Sequence, residues 1–186
     1  MSIDPPAVTA SVFIATSLDG FIARPNGDLD WLTGDGDGDS AEYGYNEFIA
    51  DIDAIVMGRK TFEKVLTFDK WDYGKKRVVV LTNHAIDLSV AHARGGVVAV
   101  MAGSPTEIVS KLATSGACRL YVDGGITIQE FMRVGLIQRL IISRLPVLIG
   151  DGIPLFGSLP RDIRLSHIAT RTYPGGMVQS EYRVVT

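Results

Sequence analysis

Arg77-Val78-Val79-Val80-Leu81-Thr82 is apolar at four successive positions, with no alternation between an apolar and a polar face. A strand written this way has to be covered on both sides, which belongs to sheets with helices above and below. The pattern recurs. Val8 to Thr16, Ala54 to Met57, Gly96 to Met101, Arg119 to Val122, Leu136 to Arg144 and Ile163 to Arg171 all read as strands. Helical segments lie between them. Tyr45, Phe48, Ile49 and Ile52 repeat on one helix face, which predicts a helix from Glu42 to Ile52. Thr61 to Leu66 continues a helix opened at Gly58, and Ile126 to Arg133 forms another. Ser104-Pro105-Thr106-Glu107 has the N-cap serine, N1 proline and N3 glutamate of a capping box, for a helix reaching about Thr114. This alternation predicts an α/β domain with a mainly parallel sheet. The end differs. Tyr173-Pro174-Gly175-Gly176 is a turn into a last strand, Met177 to Val185, so an antiparallel hairpin finishes the sheet.

Two junctions in this pattern attract anions. Met57-Gly58-Arg59-Lys60-Thr61-Phe62 follows the apolar Ala54-Ile55-Val56, and Asp123-Gly124-Gly125-Ile126-Thr127 follows Leu120-Tyr121-Val122. A helix N-terminus leaves backbone N–H groups unpaired and carries partial positive charge. Two of them in one small domain suggest a dinucleotide held between. Taken singly, each also fits an ordinary helix start or a tight turn. Neither the Gly-x-Gly-x-x-Gly fingerprint at a strand–helix junction nor a P-loop is present.

The chain has 186 residues, 46% hydrophobic and 21% charged, enough for one domain over residues 1–186 with a substantial core. Net charge is -3 without any Lys/Arg block, which speaks against nucleic acid as a partner. The lone Cys118 reads as a small buried hydrophobe at a strand start, and a single thiol fits a reducing compartment. The start, Met1-Ser2-Ile3-Asp4-Pro5-Pro6, is not a signal peptide. Leu136 to Gly150 is interrupted by Gln138, Arg139, Arg144 and Pro146, too short and polar to span a bilayer, so a cytoplasmic location is expected. Asp35, Asp37 and Asp39 mimic the start of a calcium loop, but Ser40 stands where glycine is needed and Asn46 where glutamate is. A polar loop is the better reading, and no metal is expected. Leu136 to Leu148 offers more apolar surface than one small sheet edge hides, which predicts a homodimer.

Four segments together carry a family resemblance: Val12 to Ala23 with its Ser17-Leu18-Asp19-Gly20, Asp53 to Thr61, Val122 to Gly125, and Pro146 to Phe156. The chain resembles the dihydrofolate-reductase-like superfamily over nearly its whole length. Within it, the chain is most similar to the branch of the C-terminal reductase domain of bacterial riboflavin biosynthesis. The resemblance implies a mixed, mainly parallel sheet of about eight strands flanked by helices. It implies NADPH, with the pyrophosphate cradled by Gly58, Arg59, Lys60 and Thr61 and by Gly124, Gly125, Ile126 and Thr127. Ala15 and Ile22 match the nicotinamide pocket. Leu81, Thr82 and Asn83, with His84, match the adenosine ribose end. The implied reaction is hydride transfer to a small heterocycle, pyrimidine-like (as 5-amino-6-(5-phosphoribosylamino)uracil) or pterin-like.

Glu42 falls where dihydrofolate reductases hold the carboxylate that grips the pterin, although a solvated first-turn glutamate fits it too. Asp19 is a second candidate catalytic group, against a turn role for Asp-Gly. Trp31 reads as closing over the site or as a core anchor, Glu47 as surface, and Pro146 to Phe156 as a structural corner. The loop after the first strand lacks Leu-Pro-Trp, and no deaminase zinc motif is present. The alternative to an enzyme is a non-catalytic nucleotide-binding or sensor protein on the same fold.

Overall fold

Side chains alternate across a strand, so a run of valines supplies two apolar faces at once. That is how the centre of this molecule is built. The computed structural model describes residues 8–32 and 43–185. Its central parallel strands are β1 (Thr9–Thr16), β3 (Ala54–Gly58), β4 (Arg77–Leu81), β5 (Val97–Met101), β6 (Arg119–Asp123) and β7 (Arg139–Arg144). Strands β9 (Leu165–Thr172) and β10 (Val178–Val184) form the closing hairpin. The order across the eight-stranded sheet is β5-β4-β3-β6-β1-β7-β10-β9, with β10 antiparallel to both its neighbours. A small second ribbon pairs β2 (Phe21–Ala23) with β8 (Ile153–Pro154).

Both faces are covered. Ile55, Met57, Val78, Val80 and Tyr121 face helices α1 (Tyr45–Ala50), α2 (Arg59–Leu66) and α3 (Ser89–Ala93), which supply Phe48, Phe62, Val65 and Ala91. Ala54, Val56, Val79, Leu120 and Val122 face α4 (Pro105–Thr114) and α5 (Gly125–Arg133), which supply Ile108, Leu112, Ile128 and Phe131. The α4 start is the capping box its sequence announces: the Ser104 backbone N–H donates to Glu107 Oε2 at 2.7 Å, and the Glu107 N–H donates to Ser104 Oγ. Asp53 anchors the strand pair beneath the site, accepting the N–H groups of Cys118 and Arg119, each at 2.8 Å.

Several expectations shift. The helix expected over 42–52 is only Tyr45–Ala50, because Tyr43 (φ 39) and Gly44 (φ 82) are left-handed and cannot continue a helix backward. The polar, Gly/Asp-rich stretch from Ser17 to Gly38 reads as a loop in sequence, yet its described part contains β2 and a 3-10 turn at Asp30–Leu32, and the Pro146 to Phe156 corner contains β8. Strands of two or three residues have no period to read. Strand β7 starts at Arg139, three residues late, after Gln138 has used its side chain to accept from the Ala10 N–H at 2.7 Å. Cys118 lies just ahead of β6 and is half-buried. Ile137, Leu140 and Ile141 are buried within their own chain, while Leu148 is 70% exposed, so only part of the surface expected to drive dimerisation is used internally. The acidic Asp35–Asp39 run falls outside the described residues, and among those described there is no cluster suited to a metal.

Candidate active site at the strand ends

Parallel register places Met57 of β3 beside Asp123 of β6, so the two strands deliver α2 and α5 side by side. Both helices start from glycine, at Gly58 and Gly124, and neither has a side-chain cap. Their first-turn N–H groups therefore have no side chain to satisfy them. The first turn of α2 holds Arg59 and Lys60 and no acid, the wrong sign for a helix dipole unless an anion arrives. The turns also interlock. A Cβ on Gly124 would overlap the Thr61 hydroxyl, and one on Gly58 would come within 3.1 Å of Thr127 Oγ1. Gly124 has φ +90, which a side chain would resist in any case. These reciprocal glycine–threonine contacts bring two sets of amide donors and two hydroxyls to one place, a cradle that fits a diphosphate.

Of the other predicted cofactor residues, Ile22 approaches this cradle and Leu81 pairs with Gly58 across the sheet. Ile22 of β2 lies over α5, with its Cδ1 3.0 Å from where a Gly125 Cβ would stand. Ala15, near the end of β1, is half-buried, while Ile126 is 64% exposed and Thr127 buried. Leu81 ends β4. Thr82 turns the chain there, its Oγ1 accepting from the His84 N–H at 3.0 Å, and Asn83 is exposed. His84 borders a cleft shared with Arg59 of α2.

Sequence reasoning passed over one group. Asp123 ends β6 immediately before the Gly-Gly turn, and burial of its carboxyl raises the pKa to about 6 against the opposing Gly124 N–H, which donates to it at 2.8 Å. Around it stand three phenols. Tyr121 donates to the Phe13 carbonyl at 3.0 Å. Burial, followed by the charge of Asp123, pushes Tyr45, Tyr73 and Tyr121 up so that they remain un-ionised. Phe13, Tyr45, Phe48 and Tyr121 pack edge to face or tilted, with Phe13 and Phe48 centroids 5.0 Å apart. The result is a carboxyl of raised pKa beside an aromatic wall and an anion cradle. The signal was present in the sequence: a carboxylate is an odd last residue for a buried strand.

Asp19 does different work. Its carboxylate accepts from the backbone N–H groups of Gly150 at 2.8 Å and Ile149 at 3.3 Å, and the Ser17 hydroxyl leads in holding its pKa low. It pins the β1–β2 turn to the β7–β8 connection. Glu42 lies outside the described residues. Trp31 is buried, with no hydrogen-bond partner for its Nε1 among the described residues. Glu47 borders a separate cleft with Phe13, Phe48 and Arg171.

The family model of the RibD C-terminal domain matches residues 8–179. The uncharacterized protein YwjB of Bacillus subtilis (strain 168) is 32% identical over 175 residues, 92% of this chain and 95% of that protein. A crystal structure from Shewanella sp. PV-4, of a protein named for riboflavin biosynthesis, superposes with a TM-score of 0.88 at 36% identity, covering 96% of this chain and all 100% of the other. The dihydrofolate reductase of Enterococcus faecalis, solved with NADP(H), shares the fold at a TM-score of 0.64 and 15% identity, with 96% and 97% of the two chains covered.

Proposed function

Since the chain belongs to the RibD C-terminal domain family, we propose that it is an NADPH-dependent reductase of a small heterocycle, pyrimidine-like or pterin-like. The observation that carries this reading is the interlocked pair of glycine-capped helix starts with Asp123 directly beside it. Gly58 to Thr61 and Gly124 to Thr127 would hold the pyrophosphate, Ala15 and Ile22 the nicotinamide, and Leu81, Thr82 and Asn83 the adenosine ribose. When bound, NADPH supplies a hydride to an electron-poor carbon.

The chain's own residues handle the proton. Reduction of a C=N or C=O bond adds the hydride at carbon and a proton at the neighbouring heteroatom. Asp123 is the donor in this proposal and recovers its proton from solvent. A pKa of about 6 leaves a usable protonated fraction at neutral pH, whereas an ordinary carboxylate would be fully ionised. Tyr45 and Tyr121, kept un-ionised chiefly by burial, stand neutral beside it. Asp19 serves by fixing the loop that follows β1, and Glu42 remains a candidate for gripping the substrate. A cytoplasmic location belongs to the same proposal, in keeping with one cysteine and with no described helix long and apolar enough to cross a membrane.

The test is oxidation of NADPH by the purified protein against a panel of pyrimidines and pterins, followed at 340 nm (about the nicotinamide absorption band). Oxidation that requires a heterocycle supports the enzyme. Saturable NADPH binding without oxidation by any of them favours the non-catalytic nucleotide-binding alternative.

A further inference from the structure

The cleft at the proposed adenosine end has a volume of about 580 Å3 and lies between α2 and the segment after β4. Arg59 and Glu63 enter it from α2, His84 and Asp87 from the other side. Its charges do not favour a dianion. Arg59 Nη1 donates to Glu63 Oε1 at 2.6 Å, one turn along the same helix. Asp87 accepts from the Ser89 N–H at 2.8 Å, and that bond, with the Ser89 hydroxyl, holds its pKa below the ordinary value and keeps it ionised. The cleft therefore presents one guanidinium, already engaged, and two carboxylates.

In dinucleotide sites generally, a carboxylate reads the free ribose hydroxyls, and an arginine accommodates a 2′-phosphate. Here both occur and they are tied to each other. We infer that Glu63 sets the cofactor preference: by engaging Arg59 it opposes the 2′-phosphate and lets NADH bind alongside NADPH. This inference rests on the dinucleotide reading above and names the residue that limits its selectivity. A 2′-phosphate carries up to two negative charges. To bind, it takes the guanidinium from Glu63 and then sits near both Glu63 and Asp87, whereas a ribose diol donates to a carboxylate without that repulsion.

Dissociation constants for NADPH and NADH, measured on the wild type, Glu63→Gln and Glu63→Lys at two salt concentrations, test this. Circular dichroism confirms that the variants are folded, which this exposed helix position permits. In the wild type the two constants should lie within about tenfold of each other at low salt. Glu63→Gln should tighten NADPH about three- to tenfold at low salt while NADH weakens or stays the same, and high salt should shrink the change. Glu63→Lys should carry the shift further. Equal effects on both cofactors, or none, overturn the inference and leave the dinucleotide site standing. Failure of the wild type to bind either one overturns the site and the inference together.

Discussion

Asp123 carries opposite consequences for stability and for chemistry. Its folded pKa of about 6 lies above the ordinary 3.8 because burial penalises the charge. A raised carboxyl pKa means that the folded state binds more protons between those values. Stability from this group is thus present at low pH and lost as pH rises from about 4 through about 6. At pH 7 the ionised carboxylate should cost about 1–3 kcal/mol. Asp123→Asn is accordingly expected to raise the melting temperature at pH 7, to leave it nearly unchanged near pH 4, and to abolish most turnover. Thermal melts at both pH values check the first part. For the second, wild-type kcat/KM should decline above about pH 6, and that limb should vanish in whatever residual activity the variant retains. A variant less stable at pH 7, with turnover intact, would put Asp123 back among structural residues.

At the scale of elements, the two junctions behave differently under substitution. Gly124 combines φ +90 with a side-chain position filled by the Thr61 hydroxyl, so Gly124→Ala should cost about 1–3 kcal/mol and remove dinucleotide binding. Gly58 has φ -78, and its added Cβ would only press on Thr127 Oγ1 at 3.1 Å, so Gly58→Ala should cost less. Denaturant melts of both variants check the order. These junctions were legible because strand, glycine and helix start fall in a fixed succession, and the valine run at Val78–Val80 fixed a doubly covered sheet for the same local reason. What was not legible depended on distant pairing. The β2–β8 ribbon exists only because Phe21 meets Pro154 across the chain, and the left-handed Tyr43 is held where Gln179 Nε2 donates to its carbonyl at 3.0 Å. Asp123 was legible only in part: an acid ending a buried strand is a local signal, but Tyr45 and Tyr73, whose phenols feel its charge, come from distant parts of the chain.

For the whole molecule, the homodimer stays a proposal with a changed basis. The apolar residues of Ile137–Ile141 are used internally, but β9 is an eight-residue edge strand exposed along most of its length, with Leu165 and Ile168 showing 40% and 46% of their surface. A long bare edge invites pairing with a second copy. Light scattering should give twice the chain mass, and Ile168→Lys should return a folded monomer; a monomeric wild type at micromolar concentration would contradict it. The central claim is that the paired helix starts at Gly58 and Gly124 bind a dinucleotide. Calorimetric titration of the purified protein with NADPH tests that most directly. The account predicts one saturable site per chain, weakened by about 1.5–3 kcal/mol in Thr61→Ala if the lost hydroxyl bonds a phosphate oxygen. Absence of saturable heat in the wild type, or wild-type affinity in Thr61→Ala and Gly124→Ala alike, would contradict it.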